Sequence, residues 1–225
     1  MRKLPAFVKL DFVTAKPYLK PVALLVYAAV AGFLTVQSGN LLSGIGVGLM
    51  VGTLSLSYPF AVGEKSNMDA LYIALAVSRR TVVTGRYIFV LLVDLCAVVF
   101  SCLFSLAASF ILPGMGVSLD TGGAFAGLAV LAALFVLIQT MQLPIFFKFG
   151  YTKAKIASVM PFVFIMAVTA AGLASSPGGL AERMSAALAW AADTPAAYVL
   201  ACLAFLAFVF ASYRLSLAFY KRRDF

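Results

Sequence analysis

Four polar side chains lie inside long apolar segments, where they are the residues best placed for chemistry or binding: Asp94, Gln139, Gln142 and Arg214. A charged side chain in hydrocarbon costs about 3 kcal/mol or more unless it is paired. Asp94 and Arg214 lie at similar depths in the third and sixth segments, so we expect an ion pair; a proton or substrate site at Asp94 is the alternative. Gln139 and Gln142 share a helix face just before Pro144, which indicates either the lining of a polar path or hydrogen bonds between helices.

Catalysis by this chain itself is not expected. The sequence contains no histidine, which removes the commonest general base and the commonest zinc or haem ligand. Cys96, Cys102 and Cys202 lie in apolar segments, where a thiol behaves as a small apolar side chain, so we predict neither a disulfide nor a metal site. The run Gly-Glu-Lys-Ser at 63–66 lacks the upstream glycine of a phosphate-binding loop. The sequence therefore predicts no phosphate-binding loop in this segment.

The composition is typical of an integral membrane protein. Hydrophobic residues make up 64% of the 225 residues and charged residues 11%, against about 25% charged residues in soluble domains. A helix of about 20 predominantly apolar residues crosses a bilayer, and the chain offers six such segments. They predict an all-α, polytopic fold in a single membrane domain, with spans at 22–37, 41–62, 87–112, 123–147, 156–174 and 196–220.

The basic residues are concentrated on one side of the predicted membrane domain. Of the 17 Lys and Arg residues, all except Arg183 precede the first span, lie in the loops at 63–86 and 148–155, or lie at 214–223. Segments rich in Lys and Arg face the cytoplasm, so both termini are expected there. Topology and contact with anionic lipid account for the net charge of +9, and no nucleic-acid partner is predicted.

Two further patterns concern the segment before the first span and the packing of the second span. Residues 1–21 place apolar residues at helical spacing between lysines, which favours an N-terminal elbow helix in the membrane interface over a merely basic anchor tail. In the second span, Gly44, Gly48 and Gly52 recur every four residues on one helix face. Small residues at this spacing allow close helix packing, either within the chain or between two copies.

The loop at 63–86 is the longest polar segment on the predicted cytoplasmic side. Asn67 is a favourable residue at the start of a helix. Four apolar residues follow at the i, i+3, i+4, i+7 spacing of an amphipathic helix: Met68, Leu71, Tyr72 and Leu75. Such a helix either lies among lipid headgroups or docks into a groove of a soluble partner.

A family resemblance extends over this loop, in the residues Tyr58-Pro59-Phe60, Glu64-Lys65, Asn67, Asp69, Leu71, Leu75, Val77-Ser78-Arg79-Arg80, Val83 and Gly85-Arg86-Tyr87. The run resembles the cytoplasmic signature of ABC transporter permeases of the type-2 exporter class. The chain departs from that pattern at Ala76, where proline is usual, and at Arg86, where lysine is common. Because proline breaks helices, its absence is expected to lengthen the helix. The elbow helix, six spans and cytoplasmic termini of the family agree with the whole chain.

The resemblance implies a coupling helix at about 67–76, held in a cleft of a separate ATP-binding subunit that binds ATP and Mg²⁺. It also implies a bacterial cytoplasmic membrane and two permease copies, expected to be a homodimer. Polar contacts with the ATPase are implied for Glu64 and Asp69, and contacts with lipid phosphates or the ATPase rim for Arg79 and Arg80. The residues implied for the ATPase groove are Met68, Leu71 and Tyr72, with Leu75 in the same coupling set.

By the same resemblance, the cargo is an amphipathic peptide or another lipophilic compound, exported by alternating access; the 20 phenylalanines fit such a cargo. Two other classes stay open. One is the substrate-binding membrane module of an ATP-driven vitamin uptake system, against which the long loop at 63–86 argues. The other is a membrane assembly factor without an ATPase partner. A neighbouring ATPase reading frame would separate the last class from a permease.

Overall fold

The computed structural model describes residues 3–16, 21–38, 41–111, 121–156, 159, 163 and 195–222, and the regular structure within these ranges is helical. This agrees with a sequence in which apolar segments are long. The helices of the described ranges are α1 (Lys3–Ala15), α2 (Pro21–Ser38), α3 (Leu41–Ser55), α4 (Ser57–Lys65), α5 (Met68–Ala74), α6 (Arg79–Ile111), α7 (Thr121–Ala154) and α8 (Pro195–Lys221).

Four helical stretches of the described residues are long and apolar enough to cross a membrane: Ser43–Lys65, Arg79–Leu103, Gly127–Ala154 and Ala196–Lys221. They correspond to the second, third, fourth and sixth predicted spans. The first predicted span is a shorter apolar helix, Leu24–Gln37, and most of the fifth, 156–174, lies outside the described residues. The chain is therefore an integral membrane protein with at least these four apolar spans.

Helices enter both ends of the predicted cytoplasmic segment 63–86. α6 begins at Arg79 because Ser78 caps its first turn, its Oγ accepting a hydrogen bond from the Thr81 backbone N–H at 3.1 Å. Since α4 continues to Lys65, the residues outside these two helices are 66–78. Helical structure thus extends into both ends of the segment 63–86, and the position of this segment outside the membrane stays a prediction.

The helix α3 packs along α6, α7 packs against α8, and α1 crosses the beginning of α6. The contact of α3 with α6 requires glycine. A Cβ atom on Gly48 would overlap the Ser101 hydroxyl, and one on Gly52 would lie 2.7 Å from Asp94 Oδ1. Two glycines of the predicted stripe thus face a helix of the same chain, and Gly44 is buried as well.

A cluster of aromatic side chains fills the end of the bundle where α1, α4, α5, α7 and α8 meet. The Phe60 ring stacks on Phe146 with centroids 5.0 Å apart, and Phe147 meets Tyr220 edge-on at 5.4 Å. From α1, Phe7 joins the same core. The predicted N-terminal helix is thus a packed part of the bundle, and its position in a membrane interface stays a prediction.

We expect Gly48→Ala and Gly52→Ala to reduce the free energy of unfolding by about 1–3 kcal/mol, because the added methyl group overlaps atoms of α6. Gly46→Ala is the matched control, since the nearest atom to its added Cβ is Leu131 Cδ2 at 3.8 Å. Alanine is also the better helix former, so this variant should be neutral or slightly stabilised. Thermal unfolding in detergent measures the difference, and three equal midpoints would contradict the close α3–α6 contact.

Candidate functional site

The predicted docking element is α5, a seven-residue helix whose two ends are set by residues in the left-handed conformation. Asn67 precedes it at φ 48°, a conformation that asparagine adopts readily. Beyond its other end, Ala76 also has φ 48°. The N–H of Ala76 donates to the Ile73 carbonyl and that of Val77 to the Tyr72 carbonyl, each at 2.9 Å. This pair of bonds is the Schellman pattern that ends a helix.

The expectation that Ala76 lengthens the helix is wrong. α5 ends at Ala74, because residue 76 is itself the left-handed residue that stops it. A proline at 76 would be locked near φ −65° and would have no N–H to donate. A loop with proline at this position must therefore end its helix in a different way.

One side of α5 packs into the bundle. Tyr72 is 5% exposed, and its ring meets Phe7 of α1 edge-on with centroids 5.2 Å apart. Met68, one turn earlier, packs against the same core. The Asp69 carboxylate accepts a hydrogen bond from the Tyr220 hydroxyl of α8 at 2.9 Å. These contacts fix α5 to both the first and the last helix of the described chain.

The other side of α5 is exposed and apolar. Leu71, Ile73 and Leu75 are 44%, 60% and 56% exposed, and Ala70 and Ala74 between them are exposed as well. We refer to these five residues as the α5 outer face. A surface of large apolar side chains on such a short helix is suited to burial against a partner.

The predicted groove-filling residues are divided between the two sides of α5. Leu71 and Leu75 belong to the outer face, whereas Met68 and Tyr72 point into the bundle. The assignment of Met68 and Tyr72 to a partner's groove is therefore corrected. Apolar spacing identified a helix with a broad apolar arc, but it could not indicate which part of that arc the chain's own core would cover.

Arg79 connects the beginning of α6 to the end of α8. Its guanidinium donates to the Tyr220 carbonyl at 3.4 Å and to the Lys221 carbonyl. The last carbonyls of a helix have no partner within the helix, so Arg79 caps α8. Arg79 and Arg80 are both exposed, so their predicted contacts with lipid or the ATPase rim stay predictions.

Glu64 lies at the end of α4 and contacts α7. Its Oε2 accepts a hydrogen bond from the Thr152 backbone N–H at 3.1 Å. The preceding Gly150 has φ 73° and ψ 177°, a combination essentially limited to glycine, and it interrupts α7. Glu64 thus joins the ends of two spans. Its side chain is exposed, so its predicted contact with the ATPase stays a prediction.

A buried ion pair lies beneath α5. Asp11 of α1 and Arg86 of α6 are 1% and 4% exposed, with Arg86 Nε 3.3 Å from Asp11 Oδ2. The guanidinium also lies over the Phe60 ring, 4.6 Å from its centroid. Burial raises the pKa of Asp11 to about 6, an effect that the positive charge of Arg86 opposes. The pair is therefore mostly ionised near neutral pH and holds α1 against α6.

The predicted ion pair of Asp94 and Arg214 is not formed. Asp94 is 6% exposed and accepts a hydrogen bond from Gln139 Nε2 at 2.8 Å. Arg214 is exposed, and its guanidinium lies 5.8 Å from the centroid of the Phe210 ring. Asp94 faces the interior of the bundle and Arg214 faces outwards. Their similar depth along the spans gave no information about these directions.

Gln139 and Gln142 are 0% and 1% exposed. The Gln139 amide donates to Thr53 Oγ1 of α3 at 3.1 Å as well as to Asp94 of α6. For Gln139, this geometry matches hydrogen bonding between helices, the alternative to lining a path. Within the described residues, no group of three His, Cys, Asp or Glu side chains could hold a metal ion.

Four residues of this site were not selected from the sequence: Phe7, Asp11, Ile73 and Tyr220. A signal existed for Asp11, which is the first acidic residue of the chain and the only one before Glu64. Ile73 falls outside the i, i+3, i+4 pattern, and only the apolar character of the whole segment at 70–77 could have indicated it. The roles of Phe7 and Tyr220 depend on contacts between distant parts of the chain.

The fold and the site together describe a polytopic membrane protein with a short helix presented at one end of its bundle. A family model described as "ABC-2 family transporter protein" matches residues 6–221, so the chain belongs to this family of ABC transporter permeases. Such permeases are the membrane components of transporters, and their ATP-binding subunits are generally separate proteins. No curated protein and no solved structure matches the chain.

We expect Ala76→Gly to stabilise the end of α5 by about 1 kcal/mol, because glycine adopts the left-handed conformation without the Cβ clash. Ala74→Gly is the matched control: the same exchange within the helix should cost about 1 kcal/mol. Hydrogen exchange of the α5 amides measures both changes, with about fivefold slower exchange expected for the first variant. Faster exchange in both variants would show that residue 76 does not need a left-handed residue.

Proposed function

We propose that this chain is the membrane subunit of an ATP-driven exporter and that α5 is its coupling helix. The α5 outer face docks into a cleft of the separate ATP-binding subunit. The observation that carries this proposal is the two-sided character of α5. Leu71, Ile73 and Leu75 are exposed, while the opposite side is fixed by Tyr72 and Asp69 to two other helices.

A docking helix must be held rigidly to transmit movement. A helix of seven residues is not stable by itself in water, so its position depends on the contacts of its inner side. Tyr72 connects it to α1, and the Schellman end and the Ser78 cap connect it to α6 within a few residues. Movement of a docked partner would therefore displace the third predicted span directly.

The last span would move with the same helix. The Asp69 hydrogen bond to Tyr220 and the Arg79 cap on the α8 carbonyls connect the docking segment to α8 from two positions. Rigid displacement of packed helices is one of the established routes of conformational change in proteins. We infer that closure of the ATP-binding subunits displaces α6 and α8 together, and that this produces alternating access.

ATP and Mg²⁺ bind to the partner subunit in this proposal, and two copies of the chain form a homodimer around one path in a bacterial cytoplasmic membrane, with both termini in the cytoplasm. The cargo is an amphipathic peptide or another lipophilic compound. A groove of about 240 Å³ between α2, α3 and α6 supports a lipophilic cargo. Its lining is almost entirely apolar and includes Leu24, Val51, Val93 and Phe100.

Leu71→Asp and Ile73→Asp should weaken assembly with the ATP-binding subunit of the transporter, because each places a charge in the apolar contact. Loss of more than tenfold in affinity, about 1.4 kcal/mol or more, is expected. Leu71→Met and Ile73→Met are matched controls that keep an apolar side chain and should retain assembly. Co-purification and the ATPase rate of the complex report the result.

Both Asp variants lie on an exposed surface, so their thermal midpoints in detergent should equal that of the wild type. An unchanged complex with either Asp variant would contradict docking through the α5 outer face. A wild-type chain that never binds the ATPase would contradict the permease proposal as a whole and would favour an assembly factor.

Tyr220→Phe tests the connection to α8, since it removes the hydroxyl group that donates a hydrogen bond to Asp69. Assembly with the ATPase should be unchanged, while stimulation of hydrolysis in lipid nanodiscs should fall several-fold. Tyr213→Phe is the matched control on the same helix: its hydroxyl contacts Thr84 of α6 at 3.0 Å rather than α5. Equal stimulation in both variants would show that α8 is not moved through Asp69.

A further inference from the structure

Two buried oxygen atoms beside the glycine contact of α3 and α6 have no hydrogen-bond donor. They are Asp94 Oδ2 and Gln139 Oε1. The other oxygen of the same carboxyl, Oδ1, accepts from Gln139 Nε2 at 2.8 Å. Thr53 accepts the second N–H of this amide and donates its own hydroxyl to the Leu49 carbonyl at 3.0 Å. The arrangement lacks one hydrogen-bond donor.

Among the residues that the structure describes, none that faces Asp94 is positively charged. The groups that face it are Gly52 and Thr53 from α3 and Gln139 from α7, and none of them is charged. On its own helix, the nearest described basic residue towards the α5 end is Arg86, two turns away and paired with Asp11. An ionised carboxylate here would be buried in a membrane span with one hydrogen bond and no counter-ion, which is a costly state.

We propose that Asp94 is a proton-binding site when α3, α6 and α7 are packed together as in this structure. The bound proton resides on Oδ2, which then donates to Gln139 Oε1, while Oδ1 continues to accept from Gln139 Nε2. Acid and amide form a pair joined by two hydrogen bonds, and both orphaned oxygens are satisfied. The proton comes from the aqueous phase as hydronium or water and returns there on release, so no other reactant is required.

Proton binding would then be linked to the packing of three spans. Release of the proton leaves a charge between α3, α6 and α7, and this charge is tolerated only when water reaches it. Separation of α3 from α6 would admit that water. Close packing of α3 against α6 therefore favours the protonated form of Asp94. This last step rests on the proposed alternating access, whereas the proton site itself does not.

The test compares two substitutions of Asp94 in the full chain in detergent. Asp94→Asn places an amide where the neutral acid is, with one donor and one acceptor for Gln139, and should keep the wild-type thermal midpoint. Asp94→Ala removes both bonds and should lower it. Asp11→Asn is the contrasting control: it leaves the buried charge of Arg86 without a partner and should lower the midpoint although it is the same exchange.

Infrared spectroscopy provides a second readout that does not depend on stability. Near neutral pH, the wild type should show the carbonyl band of a protonated carboxyl group. Asp94→Asn should remove this band, and Gln139→Met should shift it because the amide partner is lost. If Asp94→Asn does not fold, the Gln139→Met shift assigns the band.

Absence of the protonated band in the wild type would overturn the proposal. So would an Asp94→Asn variant that is as unstable as Asp94→Ala, since that result would mean that the negative charge is required. Neither outcome would affect docking of the ATP-binding subunit, which is measured separately by co-purification. If the ATP-binding subunit does not co-purify but the infrared band is present, the proton site stands and only its link to transport is contradicted.

Discussion

Burial of the Arg86 guanidinium is the constraint on which the α5 end of the bundle depends. A guanidinium cannot be neutralised by loss of a proton in a protein, so a carboxylate must be brought to it, and Asp11 is that group. This requirement holds α1 against α6 and places Phe7 beside Gly85, where a Cβ atom would overlap the ring. Tyr72 then rests on Phe7, so the position of α5 follows from the ion pair beneath it.

Deeper in the spans, a buried polar side chain is satisfied by hydrogen bonds rather than by a counter-ion. Helices in hydrocarbon satisfy their own backbone groups, but a polar side chain must find its partner on a neighbouring helix. Gly52 leaves the space into which the Asp94 carboxyl fits, and Gln139 and Thr53 supply its surroundings. Close packing and polar satisfaction are therefore two aspects of one contact: a larger residue at 52 would disturb the hydrogen bonds as well as the helix spacing.

The sequence was sufficient for those features that depend on local composition. Four of the six predicted spans, the short helix after Asn67 and a close helix contact at the glycines follow from runs or spacings within a single segment. The partners of Asp94 and Arg214 did not follow, because depth along a helix does not determine the direction in which a side chain points. The resemblance implied a partner contact for Tyr72, but neither the resemblance nor the apolar spacing indicates which side of the helix the chain covers itself. The Tyr220 bond joins residues 151 positions apart.

The geometry of α5 also bears on how movement would be divided among the spans. Its connection to α6 is covalent and short, with left-handed Ala76 and the Ser78 cap between the two helices. Its connection to α8 is the hydrogen bond that Asp69 accepts from the Tyr220 hydroxyl. A second bond, which Arg79 at the start of α6 donates to the Tyr220 carbonyl, supplements it, and both bonds can break and form again. In the proposed transport cycle, a pull on α5 would therefore displace the start of α6, whereas α8 would follow only while these bonds persist. The Asp69–Tyr220 contact is the point at which the two displacements could be separated, and its strength would set whether α8 moves with the docking helix or stays behind.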